Sequence, residues 1–437
     1  MSIDYNTLNY LNLKQNDVEE VSTHSDNDNI YFNVTLKRKD CKCPNCNNLT
    51  NKVKDYKIKI IRHSIFNDGR NSFISYKQRR YFCPICKSSF IEENPFVKEK
   101  DKVSRLLIYN VMLKLSYSTT TYEMIASELS ISPTTVMNIF DQNINYPRGT
   151  LPEILSIDEF HYATINSLAK YACVFLNFET NKVIDVIKSR RKDYLQNYLT
   201  KIPLEELLRV KHVSIDMWVT YRNISKIFFP NAIISVDSFH VIQDINRYLD
   251  KIRISIMKKF EKGTNEYYLL KNFEWLLLIN YKDIDTSKGP KYNKKFKKYL
   301  SYLDLLEMLL KLSPLLKNAY EWKESYIRFN STCTYEKAEE RLNELITNLK
   351  ELNIYTFNPV LKTLEEWKYE IINSFIRYPN IGRVSNGKIE NRNSTIKDIK
   401  KNTKGMSNFE RFRNRIIYVI NKDFNKNFTI KKRGETF

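Results

Sequence analysis

Short apolar runs rich in β-branched and aromatic residues alternate with polar stretches in the middle of the chain. Such runs predict buried β-strands, and the polar stretches between them have the spacing of helices. Three strands are expected within residues 151–188, followed by a helix that ends near residue 207. Two more strands are expected at 212–216 and 232–237. The predicted order in this region is β-β-β-α-β-α-β.

Longer amphipathic patterns lie on both sides of this region. Residues 102–141 have helical spacing, and residues 239–378 form a long helical block that is rich in Leu, Lys and Tyr. A turn-rich break at 378–388 precedes a final basic helix that begins near Ile389. Closer to the N-terminus, residues 30–37 alternate like a strand that leads into a group of cysteines.

Composition indicates a globular protein of several domains. The chain has 437 residues, of which 42% are hydrophobic and 13% aromatic, with only 8 Gly and 12 Pro. These values exclude disordered, collagen-like and Pro-rich classes. No apolar run approaches the roughly 20 residues of a membrane span, and the first residues lack a signal-peptide pattern. We therefore expect a cytoplasmic protein without membrane contacts.

The formal net charge of +21 favours a polyanionic partner. Codon bias toward Lys would spread this charge evenly, but the charge is concentrated in two blocks. Residues 41–110 contain 15 basic and 6 acidic side chains, and residues 379–437 contain 15 and 5. We therefore expect the protein to bind nucleic acid and to associate with the nucleoid.

Two Cys-x-x-Cys pairs predict a metal site. Cys43 and Cys46 are followed, after 36 residues, by Cys83 and Cys86. Each pair can direct two thiolates at one ion, and two pairs complete a tetrahedral Zn²⁺ site of the zinc-ribbon kind. Cys41 competes with Cys43 as a ligand. The alternative is two unrelated pairs of reduced or redox-active thiols.

Residues 121–140 predict a helix-turn-helix. Two short helices would flank Ser130, Ile131 and Ser132, with Ser132 as the cap of the second helix and Pro133 at its first position. Ser130 stands where such turns often have Gly. Side chains on the second helix would face outward, where they can contact base edges. The alternative is an ordinary helical hairpin.

Two carboxylates end predicted strands. Asp158 follows one apolar run and Asp216 follows another. The predicted order places these strands side by side in an RNase H-like sheet, so the two acids would meet and share divalent metal ions. Mg²⁺ or Mn²⁺ in such a site supports phosphoryl transfer. Glu390, at the start of the final helix, is the candidate third acid.

Other acidic residues compete with this assignment. Glu159 adjoins Asp158, but successive strand residues face opposite ways, so we expect Glu159 to point away from the site. Asp237 follows a fifth strand and is the alternative second acid, with a supporting or DNA-contacting role as the favoured interpretation. His240 lies nearby and is expected to be structural. Glutamates of the helical block are expected on a solvated face; they are Glu365, Glu366 and Glu370.

Several segments resemble transposases of the bacterial ISL-three insertion-sequence family. They are the motifs IDEF from Ile157, DMW-x2-Y from Asp216, FPNAIISVDSFHV from Phe229, and SNGKIENRNSTIKDIKKNTKGMSNFERFRNRI from Ser385. Paired cysteine knuckles, a helix-turn-helix and an acidic DDE core follow that family's order. The resemblance implies an RNase H-like core interrupted by an α-helical insertion, with Asp158, Asp216 and Glu390 as the triad.

The expected fold class is therefore α/β. An RNase H-like mixed sheet with an α-helical insertion is preceded by a zinc ribbon and a helix-turn-helix. The expected segments are the zinc-ribbon region (1–100), the helix-turn-helix (101–148), the first part of the core (149–245), the insertion (246–378), and the final core helix with a basic tail (379–437).

The expected function is DNA transposition. The protein would bind the terminal inverted repeats of an insertion sequence and target DNA, as a homodimer on the DNA ends, and would cut and join strands. The alternatives are a catalytically silent DNA-binding regulator and an RNase H-like nuclease or resolvase. The expected DNA contacts are Thr134, Thr135, Asn138, Arg392, Lys397 and Lys400.

Overall fold

The computed structural model describes residues 5–63, 70–98, 101–162, 170–385, 387–403 and 408–421. The chain forms two compact units. The first unit combines Met1–Pro147 with Ser394–Phe437, and the second is Arg148–Asn393. Among the described helices, none has the length and apolar character needed to cross a membrane.

The first unit begins with a five-stranded sheet. Its early elements are α1 (Tyr5–Leu11), β1 (Val18–Ser25), β2 (Asn29–Leu36), β3 (Cys41–Lys42), β4 (Leu49–Thr50), β5 (Val53–His63), β6 (Asn71–Phe82) and β7 (Ser89–Ile91). The strand order is β1-β2-β6-β5, and β7 pairs with β6. Alternate residues of β2 and β6, including Phe32, Val34, Ile74 and Tyr76, are buried in one core. The strand predicted at 30–37 is therefore confirmed as β2.

Three helices follow this sheet. They are α2 (Arg105–Leu115), α3 (Tyr122–Glu128) and α4 (Pro133–Asn143). The Ser132 hydroxyl accepts a hydrogen bond from the amide of Thr135, and Pro133 occupies the first turn of α4. Both features of this helix start were predicted from the sequence. Ser130 has φ 50°, the left-handed conformation for which Gly is the most tolerant residue.

The second unit contains a mixed five-stranded sheet. Its elements are β8 (Ile154–His161), β9 (Tyr171–Asn177), β10 (Lys182–Ile187), α5 (Lys192–Leu199), α6 (Leu204–Arg209), β11 (His212–Ile215), α7 (Val219–Phe228) and β12 (Ile233–Val236). The order is β10-β9-β8-β11-β12. β9 is antiparallel to β8 and β10, whereas β11 is parallel to β8 and β12. The first and fourth strands are thus neighbours, as predicted.

A helical block occupies most of the remaining second unit. It comprises α8 (Ser238–Met257), α9 (Asn265–Asn272), α10 (Glu274–Leu278), β13 (Lys291–Asn293), β14 (Lys298–Leu300), α11 (Tyr302–Lys311), α12 (Pro314–Thr332), α13 (Tyr335–Glu351), α14 (Asn358–Glu366), α15 (Lys368–Asn373), β15 (Arg377–Tyr378) and β16 (Gly382–Arg383). Its apolar faces and one side of the sheet share a continuous hydrophobic core. The predicted helical block therefore exists, with two short hairpins that the sequence pattern did not reveal.

Two helices end the described chain. α16 (Gly387–Asn402) carries the chain from the second unit into the first, and α17 (Phe409–Asn421) lies within the first unit. The ring of Tyr418 on α17 packs against Phe140, and its hydroxyl donates to the Met112 carbonyl at 2.9 Å. The sequence predicted one final helix in this region, whereas the structure has two.

The boundaries of the two units can be compared with those of the predicted segments. The second unit starts at Arg148, one residue before the predicted start of the core at residue 149. The segments predicted as 1–100 and 101–148 lie in one unit. The predicted final segment, 379–437, is divided after Asn393.

Candidate functional site

Strand register brings two carboxylates together. In the parallel pair of β8 and β11, Ser156 lies opposite Ser214. Asp158 and Asp216 each follow two residues later, so they share one face just beyond the paired part of these adjacent strands. Asp158 is only 9% exposed. The predicted meeting of these two acids is present in the structure.

Glu159 joins this group. Carboxylate oxygens of Asp158, Glu159 and Asp216 all lie within 4.8 Å of one another. The prediction that Glu159 points away from the site is wrong. Pairing with β11 stops at Ser156, so among the described residues no strand is paired with the end of β8 on that side. A long glutamate side chain can therefore reach around the strand edge, which the alternation rule does not consider.

Burial and neighbouring negative charges raise the pKa of two acids in this group above the ordinary value for Asp. Burial, with the charges of Asp216, Glu159 and Glu390, raises the pKa of Asp158 to about 7. Burial and the charge of Glu159 raise the pKa of Asp216 to about 6. Clustered carboxylates repel one another unless protons or cations neutralise them. Oxygen ligands of this kind fit Mg²⁺ or Mn²⁺.

Glu390 approaches the pair from helix α16. It lies in the first turn, close enough for its charge to raise the pKa of Asp158, but outside the 4.8 Å group. Two neighbouring cations hold this turn against the β9–β10 connection. Lys388 Nζ donates to the Phe178 carbonyl at 2.8 Å, and Arg392 Nε donates to the Asn181 side-chain oxygen at 3.2 Å.

Asn393 connects the same helix directly to Asp158. Its Nδ2 donates to Asp158 Oδ2 at 2.7 Å and to the Glu159 carbonyl at 3.3 Å. The residue is 6% exposed, and its Oδ1 is buried without a hydrogen-bond partner. Two acceptors on one side of the amide determine its orientation, because a flipped amide would face them with an oxygen.

Arg190 neutralises Glu159. The two side chains form an ion pair, and the guanidinium lies 4.2 Å from the centre of the Tyr171 ring and 4.6 Å from that of Trp218. Within the described ranges, neither Asp158 nor Asp216 has an ion-pair partner. Cation–π contacts on two rings restrict the guanidinium and so hold Glu159 in place.

Asp237 and His240 lie at the start of helix α8. Asp237 caps the helix, since its carboxylate accepts a hydrogen bond from the Phe239 amide at 2.7 Å. Asp237 is not part of the 4.8 Å group, so Asp216 is the acid that meets Asp158. His240 is close enough to Asp216 for its charge to lower the pKa of that carboxyl. Its Nε2 is buried without a hydrogen-bond partner.

The four paired cysteines form a second cluster, in the first unit. The sulfurs of Cys43, Cys46, Cys83 and Cys86 all lie within 4.8 Å of one another. Cys41 is outside this group, so Cys43 takes the place that the sequence left open. A hydrogen bond with the Ser88 hydroxyl lowers the pKa of Cys86 to about 5. Thiolates in this arrangement fit Zn²⁺.

The side chains predicted to contact bases occupy one side of α4. Thr134 and Asn138 are exposed, and Thr135 is half-buried with its hydroxyl 2.9 Å from that of Ser132. Six apolar residues were predicted to pack this helix pair: Ile131 is half-buried, and the other five are buried, namely Ile125, Ala126, Leu129, Val136 and Phe140. Contact of the three polar side chains with DNA stays a prediction.

The basic residues predicted to contact phosphate differ in exposure. Lys397 is exposed and Lys400 is half-buried. Arg392 is half-buried, burial lowers its pKa, and its Nε is committed to Asn181. An anchoring role for Arg392 within the second unit is therefore established by its contacts, and its contact with DNA stays a prediction.

Sequence reasoning missed two members of the acidic site. Asn393 lies three residues after Glu390, the spacing that places both on one face of a helix, and this signal could have identified it. Arg190 offered no comparable signal, because its partner Glu159 is 31 residues away and only the folded sheet brings them together.

Comparison with known proteins gives a consistent picture. A family model described as transposase, for DDE transposases of the ISL3 (ISL-three) group, matches residues 155–416. This match covers more than half of the chain and includes all three predicted acids. The chain belongs to the ISL3 family of DDE transposases.

One curated relative supports this membership. The transposase for insertion sequence element IS1001 of Bordetella parapertussis is 22% identical over 271 residues, covering 62% of this chain. The aligned part spans 61% of that relative's own length. The family implies phosphoryl-transfer chemistry on DNA.

Proposed function

We propose that this protein is the transposase of an insertion sequence. It binds the element's terminal inverted repeats and cuts and joins DNA strands by metal-dependent phosphoryl transfer. The observation that carries this proposal is the meeting of Asp158 and Asp216, from the adjacent parallel strands β8 and β11, within the region that the family model matches. The strand order of this sheet supports an RNase H-like core.

The proposed triad is Asp158, Asp216 and Glu390. Glu159 competes with Glu390 as the third acid, since its oxygens lie nearer to the pair. Glu390 is favoured because Arg190 already neutralises Glu159. Helix α16 also presents Asn393 to Asp158, so the face that carries Glu390 meets the site.

The side chains of the acidic site have different roles in the proposed reaction. Divalent ions held by the three acids would activate a water or 3′-hydroxyl and stabilise the leaving oxygen. Asn393 keeps Asp158 oriented by donating to one of its oxygens. Arg190 fixes Glu159 beside the pair, and burial of Asp158 limits access of water to its carboxylate.

Recognition of DNA is assigned to the first unit. Helices α3 and α4 would act as a helix-turn-helix, with Thr134, Thr135 and Asn138 toward the bases. The Cys43–Cys86 cluster would hold Zn²⁺ as a zinc ribbon. Lys397 and Lys400 would contact phosphates. The exposure of Thr134, Asn138 and Lys397 supports this arrangement.

A cleavage assay on DNA that carries the element's ends, with Mg²⁺, tests the proposal. Asp158→Asn, Asp216→Asn and Glu390→Gln should each abolish cleavage and leave end binding nearly intact, because shape is kept while charge is lost. Glu159→Gln and Asp237→Asn are matched controls that should reduce cleavage without eliminating it.

Different results of this assay would contradict different parts of the proposed function. Near-normal cutting by Glu390→Gln together with inactive Glu159→Gln would replace the third acid. Active Asp216→Asn with inactive Asp237→Asn would replace the second. A wild-type protein that binds the ends and never cleaves them would be a DNA-binding regulator, and the proposed activity would fall.

A further inference from the structure

A lysine-rich hairpin projects from the helical block of the second unit. Between Asp285 and Asp304 the chain has six lysines and no acidic residue. Strands β13 and β14 pair Lys291 with Leu300 and Tyr292 with Tyr299, and a four-residue turn, 294–297, joins them. The turn is closed by the Lys297 amide, which donates to the Asn293 carbonyl at 2.8 Å.

Most of the positive charge on this hairpin is uncompensated. Lys288 pairs with Asp285, and Lys295 donates to the Gly263 carbonyl. The other four lysines are exposed and form no ion pair with any residue in the described ranges; they are Lys291, Lys294, Lys297 and Lys298.

Several other exposed lysines of the second unit have acidic partners, although Lys258, Lys259 and Lys262 form no ion pair with the described residues. Lys311 pairs with Glu307, Lys317 with Glu321 and Lys362 with Glu366, each one helical turn away. A solvated surface rich in lysine normally includes such acidic neighbours, which limit mutual repulsion. The hairpin brings four lysines without an acidic partner into one short segment, 291–298, so its positive charge is concentrated and exposed to solvent.

Two tyrosines occupy one side of the hairpin. Tyr292 and Tyr299 are 52% and 71% exposed, and their ring centres are 5.3 Å apart. By register the other side carries Lys291 and Lys298, which are exposed, with Asn293 and Leu300, which are partly buried; the Asn293 amide lies 3.5 Å from the Tyr268 hydroxyl. The hairpin is thus held by one face and presents aromatic rings on the other.

The turn uses lysine where the backbone favours a different residue. Lys297 has φ 55°, in the left-handed region. Most other non-glycine residues in this region are asparagines; they are Asn12, Asn47, Asn181, Asn353 and Asn380. Glycine and asparagine tolerate this conformation best, so backbone preference does not select lysine here. The charge is the property that lysine adds.

We propose that the hairpin Lys291–Leu300 binds the backbone of DNA. Its four unpaired lysines contact phosphates, and the tyrosine pair lies against sugars and any unpaired base at a cut end. This inference rests on the proposed function for the identity of the polyanion. It adds a DNA contact in the second unit, which contains the acidic site, to those assigned to the first.

The first test measures salt dependence of DNA binding by the full-length, zinc-loaded protein. The variant replaces Lys291, Lys294, Lys297 and Lys298 with Gln. The control carries the same change of charge at four exposed but ion-paired lysines: Lys211, Lys311, Lys317 and Lys362. Each lost phosphate contact should reduce the slope of log affinity against log salt by about 0.9.

The expected result is a slope reduced by roughly 2–4 in the hairpin variant, allowing for two to four contacts, and nearly unchanged in the control. Equal slopes for the two variants would overturn the inference, as would a loss of affinity confined to an RNA duplex of the same sequence. Normal cleavage by the hairpin variant at saturating DNA would support it, because the hairpin contains none of the acidic-site residues.

A second variant separates binding from folding. Lys297→Gly relieves the left-handed backbone and removes one charge, so the thermal midpoint should rise while DNA affinity falls. Unchanged affinity with a raised midpoint would overturn a phosphate contact at this position. Failure of the wild type to cleave DNA, with normal salt slopes, would remove the proposed activity and leave the hairpin contact standing.

Discussion

Asn393 shows how one neutral side chain can organise a group of acids. Its amide nitrogen donates to both Asp158 and the Glu159 backbone, and it lies on the helix that carries Glu390. A hydrogen bond to a carboxylate is stronger than one between neutral groups, and partners of metal ligands fix ligand orientation. We therefore regard Asn393 as a positioning residue for Asp158.

Removing this donor should weaken catalysis more than folding. For Asn393→Ala we expect cleavage about 10–100-fold slower, a higher Mg²⁺ concentration for half-maximal rate, and unchanged end binding. Asn393→Asp keeps the shape and places an acceptor against Asp158, so it should be at least as damaging. Ser394→Ala, at the exposed neighbouring position, is the control. A fully active Asn393→Asp would show that the residue only fills space.

The cysteine cluster predicts different effects for substitution of Cys41 and of Cys43. Cys43 lies in the four-sulfur group and Cys41 lies outside it. Cys43→Ser should lose the bound zinc, since three thiolates remain, whereas Cys41→Ser should keep one equivalent. Metal analysis of purified protein measures both. Zinc loss in Cys41→Ser alone would reverse the assignment of the ligand.

At the scale of single elements, strand β11 contains a fully buried histidine. His212 Nε2 lies 2.7 Å from the Ser235 hydroxyl, and Nδ1 lies 3.0 Å from that of Tyr378. Burial lowers the pKa of His212 to about 4, because the charged ring is disfavoured there. The strand that delivers Asp216 to the site is therefore built around an uncharged imidazole.

Acid should weaken the fold through this strand. A histidine with a lowered folded pKa contributes stability above its unfolded pKa of about 6.5, and this stability is lost as pH falls toward 4. Between pH 7.5 and 4.5 the loss is roughly 2–3 kcal/mol. Urea unfolding of His212→Asn should show a smaller loss than wild type, while exposed His24→Asn behaves like wild type. Equal pH dependence in all three proteins would refute this.

At the scale of the whole molecule, the first unit is completed by the end of the chain. Helix α17 supplies a continuous buried segment to it, Phe412–Ile420, although more than 240 residues of the second unit intervene. Arg411 on this helix pairs with Asp141 of α4, and Arg415 Nη2 donates to the Tyr117 carbonyl at 2.9 Å. The helices assigned to DNA recognition therefore depend on a distant segment.

Truncation of one aromatic ring should disturb the first unit alone. Tyr418→Ala removes the contacts with Phe140 and Met112 and should cost about 3–5 kcal/mol, as for other large buried aromatics. Hydrogen exchange should show lost protection in residues 105–143 and retained protection in 154–236. Tyr418→Phe, which loses only the hydroxyl, should cost about 1–2 kcal/mol. Uniform loss of protection across both units would contradict this independence.

The sequence by itself determined the local structure and the chemistry of the ligands. Apolar runs identified the five strands of the mixed sheet in the second unit, Ser132 and Pro133 marked the start of α4, and the spacing of four cysteines identified their cluster. Strand order then brought Asp158 and Asp216 together. These features follow from periodicity, capping and short-range spacing, which a linear sequence contains in full.

Only the tertiary structure decided which distant side chains meet. Arg190 pairs with Glu159, and Glu370, predicted on a solvated face, is buried near Arg222 and Lys226. The local pattern of apolar and polar residues in α17 also does not indicate that this helix belongs to the first unit. For any one charged side chain or amphipathic helix, the sequence contains many residues or segments that could equally well be its partner. The choice among them is made by the free energy of burying the whole chain at once.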